Sequence, residues 1–272
     1  MNIFTVLLTQ PLANGLILFY DLLGQNLGIA IIAFSLFLRI ILNPLTKPYM
    51  ESMKKMRDIA PLVAKLKKKH KDKIKFAKAQ SDLYKEKGIN PGAGCLPYLL
   101  QIVVLIAFFN VFNRVLGSDD PTGKLNELLY SSLKLGGEHV LNTSFLYLDV
   151  TKPDVFNVNG LPFPIPGPLL ILASIVQFFS AKITQPYEAI QESAAKATET
   201  KEDDMQVAMQ KSMIYMFPIM TLFIGVKFPA GLALYWFIFS LFQLYIQYKS
   251  QGWGGLTPWL NRFGLVKSGN EK

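Results

Sequence analysis

Arg39 stands in an apolar run, Leu27 to Leu45, that carries no other charge. A charged side chain near a bilayer centre costs about 2.5–3.5 kcal/mol on insertion scales, so such a residue marks a functional site or a buried ion pair. No Asp or Glu occurs in the other apolar runs of the chain. The sequence therefore offers no intramembrane carboxylate to meet Arg39, and the expected solvent is water in a hydrophilic cavity. Ser35, Arg39 and Asn43 recur every four residues and share one helical face. Further along, Ser174, Gln177 and Thr184 lie close to one stripe, and Trp236, Ser240, Gln243 and Gln247 follow another. Gln101, Asn110 and Asn113 are spread more widely over a further run. Taken singly, each uncharged polar residue reads as an interhelical hydrogen bond. Taken together with an arginine, the stripes read as helices lining one cavity. Trp236 lies well inside its run and on the polar stripe, so a cavity-facing role stands at least level with that of an interfacial anchor.

The chemistry these residues support is non-covalent: a buried positive charge that attracts acidic groups. Histidine-dependent catalysis is excluded from the spans, because His70 falls in a charged loop tip and His139 in a loop. Cys95 is the only cysteine, which rules out an intrachain disulfide and a cysteine metal cluster. There are no paired intramembrane aspartates and no phosphate loop. The expectation is a protein that is not an enzyme, with no metal and no cofactor.

Five elements must position these residues. With 272 residues, 51% hydrophobic and 17% charged, the chain reads as an all-α polytopic membrane protein. The expected spans are 26–49, 96–116, 168–184, 212–228 and 230–248, joined by a hairpin of charged helices over 50–89 and by loops over 117–167 and 185–211. Arg114, Lys182 and Lys227 lie near span ends, from which they can snorkel to the interface. The third and fourth spans are short, reaching about 25 Å against a hydrocarbon core of about 30 Å, which calls for local bilayer thinning or for extension by flanking residues. Residues 1–25 are apolar but contain Pro11, Gly15 and Asp21, and no Lys or Arg precedes Arg39. They read as an interfacial amphipathic helix rather than a cleaved signal, with a sixth span as the alternative.

The net charge of +9 is unevenly placed. Fourteen Lys or Arg face five acids between Thr46 and Gly88, while three lysines face six acids between Gly117 and Pro166. The positive-inside rule puts the first segment in the cytoplasm and the second outside, giving an external N-terminus and a basic cytoplasmic tail over 249–272. In the hairpin, Met53, Met56, Ala60 and Val63 form one narrow stripe, Pro61 kinks the helix or starts a new turn, and the tip falls near Lys69–Lys73. The expected contacts are Lys54, Lys55, Arg57, Lys67, Lys68, Lys69, Lys71 and Lys73, attracting ribosomal RNA or anionic lipid, or forming an ordinary solvated loop. The 117–167 segment reads as loop with little regular structure, including the proline-rich run Leu161 to Gly167.

The ordered set Leu38-Arg-Ile-Ile-Leu-Asn-Pro-Leu45, Ser52-Met-Lys-Lys-Met56, Pro61, Leu83-Tyr-Lys-Glu86, Asn90-Pro91, Gly94-Cys-Leu-Pro97, Leu99-Leu-Gln101, Met216-Phe-Pro218 and Phe228 to Trp236 resembles the YidC/Oxa-type membrane protein insertase family over essentially the whole chain. The resemblance implies a five-span core with a groove open to cytoplasm and lipid, with Arg39, Gln177 and Trp236 at matching groove positions. Ser35, Asn43, Gln101, Ser240 and Gln243 complete the expected client-binding set. The implied partners are nascent membrane proteins and membrane lipid, with the ribosome, a targeting receptor and a Sec-type translocon as further candidates, and a monomer as the working unit in the cell membrane. Val103 stands where a proline is common, and Ser240 replaces the usual asparagine. The competing classes are weaker. Against a solute transporter stand the missing internal repeats and the absence of acidic coupling residues in the spans, and against an intramembrane hydrolase the want of histidine or paired aspartates there.

Overall fold

The computed structural model describes residues 3–70, 72–89, 96–116, 120–136, 140–184 and 201–265. Helices dominate. A single π-turn, Thr5–Thr9, leads into α1 (Gln10–Leu22), followed by α2 (Leu27–Asp58), α3 (Ala60–Lys69), α4 (Lys73–Glu86) and α5 (Leu96–Leu116). After α6 (Pro121–Asn126) come two short antiparallel pairs, β1 (Ser144–Phe145) with β2 (Leu148–Asp149) and β3 (Val155–Phe156) with β4 (Ile165–Pro166). The chain then runs through α7 (Pro168–Thr184), α8 (Lys201–Gly225), α9 (Ala230–Gln251) and α10 (Thr257–Arg262). Among the described residues two helices are long and apolar enough to cross a membrane, over Leu27–Leu45 and Ala230–Ser250. Leu100–Phe112, Pro168–Ile183 and Ile214–Gly225 are shorter apolar stretches.

Local chemistry explains the punctuation. The expected boundary between residues 49 and 50 is not a break, since α2 continues through Pro44 and Pro48. A proline inside a helix removes one i→i−4 bond, and apolar surroundings favour keeping all the others. Pro61 sits in the first turn of α3, where its missing N–H costs nothing. Asp72 caps α4, its Oδ1 accepting from the backbone N–H groups of Ile74 (2.9 Å) and Lys75 (3.1 Å). Those bonds, the one from Lys75 foremost, hold the exposed Asp72 carboxyl below its usual range. The 185–211 loop is described only from Lys201, where the chain is already helical and continuous with α8.

The chain divides into two compact units. The first is drawn from Met1–Asn43, Tyr98–Val176 and Ile219–Phe242. Its core joins Tyr20, Ile31, Phe34, Phe108, Phe112, Leu128, Val150, Leu170 and Leu232, all buried. Phe34, Phe108 and Phe112 form a run of rings with centroids 6.1 and 6.4 Å apart. Gly231 permits a close approach, because a Cβ there would meet the Phe112 ring at 2.5 Å.

The 117–167 segment carries more structure than its composition suggests. Buried Asn14 on α1 donates to the Leu128 carbonyl (2.9 Å) and accepts from the Tyr130 N–H (2.6 Å). The Leu27 N–H donates to the Asn142 carbonyl (2.9 Å), and the Gly231 N–H donates to the Val150 carbonyl (2.7 Å). Buried Asp154 accepts from the Leu170 N–H (3.0 Å) at the start of α7. The segment is thus stitched to α1, α2, α7 and α9 by hydrogen bonds of backbone and side chain, with Leu125, Leu128, Leu148 and Val150 supplying buried apolar area.

The second unit is drawn from Pro44–Pro97, Gln177–Pro218 and Gln243–Lys272. Here α3 packs along α4, and in the Pro44–Pro97 stretch burial is sparse: among the described side chains there Ser52, Ile59 and Ile89 are buried. Elsewhere in this unit the Ser180 hydroxyl donates to Gln247 Oε1 at 2.8 Å, with Gln247 buried.

Candidate functional site

The first unit holds Arg39 in an aromatic setting. On α9, Tyr235, Phe239 and Phe242 stand at positions i, i+4 and i+7, one stripe of a helix. The Arg39 guanidinium lies 4.3 Å from the Phe239 ring centroid and 5.7 Å from that of Phe242. Arg39 is only 6% exposed. A desolvated cation over an aromatic face gains about 2 kcal/mol or more, comparable with the insertion cost of the charge. The sequence pointed to water as the solvent for this cation; the structure adds two phenyl faces.

Polar groups continue from the ring stripe. Tyr235 is buried, stacked on Phe108 with centroids 4.5 Å apart, and its hydroxyl donates to Gln101 Oε1 at 3.2 Å. Gln101 Nε2 is buried and has no hydrogen-bond partner among the described residues. Ser240 is buried, and buried Ser35 donates its hydroxyl to the Ile31 carbonyl one turn earlier on α2. That back-bond leaves Ser35 a lone pair rather than a proton to offer. Asn43 and Trp236 are half-buried.

The residues expected from sequence thus separate. Ser35, Arg39, Asn43, Gln101, Trp236 and Ser240 belong to the first unit, while Gln177 and Gln243 belong to the second. Both of these are half-buried, and Gln243 Oε1 has no hydrogen-bond partner among the described residues. Tyr235, Phe239 and Phe242 were missed. Their i, i+4, i+7 spacing was visible, but in an apolar run such rings look the same whether they face lipid or a cation. On the helices of the second unit, Lys54, Lys55, Lys68 and Lys69 are exposed and Lys67 is half-buried. Lys71 and the side chains of Arg57 and Lys73 lie outside the described residues.

Lys182 departs from its expected snorkelling. It is 3% exposed, and its Nζ lies 5.3 Å from the Trp259 ring centroid on α10. Phe178 adds a second contact to that ring, with centroids 5.9 Å apart. The tail is therefore not simply a basic strand beyond the last helix: its α10 covers the last turn of α7.

Comparison with known proteins decides the affiliation. The model of the family described as 60Kd inner membrane protein matches residues 18–252. The chain belongs to this family, the YidC/Oxa family. It is accordingly a membrane-integral protein. A membrane protein insertase YidC of Prosthecochloris aestuarii is 34% identical over 245 residues, which cover 87% of this chain and 36% of that protein. One from Chlorobium luteolum is 33% identical over 253 residues, with 89% and 36% covered. A membrane protein insertase YidC 2 of Listeria innocua is 27% identical over 240 residues, covering 86% of this chain and 67% of the relative. The chain thus spans about a third of the length of its Chlorobium-type relatives. A crystal structure of an active YidC insertase with the first transmembrane domain resolved matches with a TM-score of 0.52 at 25% identity, covering 85% of this chain and 43% of the other. The family match takes in the Arg39 site whole and stops before α10.

Proposed function

We propose that this chain is a membrane protein insertase and chaperone, built as a five-span core over 26–49, 96–116, 168–184, 212–228 and 230–248. In this reading the N-terminus is outside and the tail cytoplasmic, and residues 50–89 form a cytoplasmic hairpin whose lysines receive clients. The clients are nascent membrane proteins. The ribosome, a targeting receptor and a Sec-type translocon are further partners, and a monomer is the working unit.

The observation that supports this reading above others is a cation buried within an apolar helix and faced by two aromatic rings. A polar tail crossing about 30 Å of hydrocarbon meets a desolvation cost that a polar groove reaching part-way would shorten. Arg39 draws the tail's acidic groups in. The cation–aromatic contact is weaker than a charge-assisted ion pair, so a client carboxylate can displace Arg39 from the rings and later be released. Ser35, Asn43, Gln101, Gln177, Trp236, Ser240 and Gln243 supply the groove's neutral polar lining. Nothing in the step makes or breaks a covalent bond.

The test uses the purified chain alone in liposomes, presented with a short acidic-tailed single-span protein and scored by protease protection. Protection that falls when Arg39 is changed to Glu supports the proposal. Wild-type protection with Arg39→Ala would sink the docking role.

A further inference from the structure

The 27 residues from Val155 to Ala181 carry no charge, although only the last part of that stretch is α7. The first part is the β3–β4 hairpin, which turns through Gly160 at a φ of +95°. Its apolar side chains do not fold inward. Phe156 is 53% exposed, Val158 47%, Leu161 45% and Phe163 62%. A water-facing turn of this size ordinarily carries charges or several small polar residues. Here Asn157 and Asn159 are the only strongly polar side chains.

The backbone is prepared for the same environment. Apolar surroundings penalise every N–H without a partner. Pro162, Pro164 and Pro166 remove three donors from the second arm, the Leu161 N–H is bonded to the Val158 carbonyl at 3.1 Å, and the strands pair at Val155 with Pro166 and Phe156 with Ile165. The hairpin is held at the head of α7 by Asp154. Its backbone carbonyl accepts from the Gly167 N–H (2.8 Å) and its carboxylate from the Leu170 N–H (3.0 Å). The apolar surface is thus continuous with Ile171, Leu172 and Ile175 on α7, each more than 40% exposed.

We propose that the Val155–Pro166 hairpin is a lipid-facing wedge, seated in the membrane interface at the N-terminal end of α7 with Phe156, Leu161 and Phe163 among the acyl chains. Asn157 and Asn159 set its depth at the headgroup level. An uncharged occupant matches an uncharged surface, and continuity with α7 favours lipid over a soluble protein. The inference rests on the reading of α7 as a membrane span.

The experiment separates the two. In a Cys95→Ser background the full chain carries a single cysteine at Phe163→Cys, at Ile175→Cys or at Lys152→Cys, each labelled with an environment-sensitive dye and placed in liposomes. Nitroxide lipids carry the quencher either near the headgroups or deep in the acyl chain. The expected result is strong quenching of the Phe163 label by the shallow quencher, of the Ile175 label by the deep one, and little of the Lys152 label by either. Quenching at Ile175 with none at Phe163 overturns the wedge and leaves the span intact. A Phe163 label that is apolar in emission yet unquenched overturns it in favour of a protein partner. No quenching at Ile175 removes the span and the wedge together.

Discussion

Two buried cations, one in each unit, are covered in the same way and differ in place. Arg39 lies under Phe239 and Phe242 mid-way along an apolar stretch; Lys182 lies under Trp259 in the last turn of α7. By exposure alone, 6% against 3%, Lys182 would be the better hidden. Yet a lysine in the last turn of a helix gains from the carbonyls and dipole there, about 0.3–1 kcal/mol. Arg39 has no helix end to use. Burial therefore does not separate the charge proposed to dock clients from one that sits at a helix end; position along the helix does.

The sharpest way to break this contrast is to reverse each charge's role. Arg39→Glu should cut insertion of an acidic-tailed client by roughly tenfold or more, equivalent to about 1.4 kcal/mol, while Arg39→Lys stays close to wild type. Lys182→Gln should change insertion little and instead lower the thermal midpoint in detergent. Equal insertion losses at the two sites would end the distinction. A second comparison concerns the pins of the first unit. Asn14→Ala leaves the Leu128 carbonyl and the Tyr130 N–H without their side-chain partner, and should cost about 1–3 kcal/mol in denaturant unfolding with insertion retained by the folded fraction. In the second unit, Gly254 has a φ of +46° and lies against the Ile183 carbonyl, so Gly254→Ala should loosen α10 and shift Trp259 emission to the red, with a smaller loss of stability.

The mildest effect is one of pH. Burial acts to raise the Asp149 pKa, but hydrogen bonds from the Thr151 hydroxyl and N–H outweigh it, together with others from Thr143 and Lys152, and the net shift is down. A depressed folded pKa means the carboxylate stabilises the fold fully above the ordinary Asp value of about 3.9 and loses that contribution as pH falls through the folded value. Wild type should therefore lose β1–β2 order, read as faster amide exchange at Val150 and Thr151, only below about pH 4. Asp149→Asn should show that faster exchange already at pH 7.

Arg39 and the apolar runs were legible because charge within apolar sequence is a local signal. The break between α3 and α4 was also local, announced by lysines, His70 and the capping Asp72. What escaped depends on partners far along the chain. Two-residue strands are too short for an alternating pattern, so the pairing of Ser144 with Asp149 and Val155 with Pro166 had no sequence signature. The cover on Lys182 comes from Trp259, and the role of Asn14 from Leu128 and Tyr130. A side chain's exposure at a span end cannot be read when the covering residue lies in another helix.

The first unit is assembled from three separate stretches of chain, the last ending at Phe242. Phe239 leaves the ribosome 200 residues after Arg39. At about 5–20 residues per second, Arg39 waits roughly 10–40 s for its rings. For that interval the newborn protein holds the charge in α2 without the cover of those rings, which makes it a demanding client for whatever inserts it.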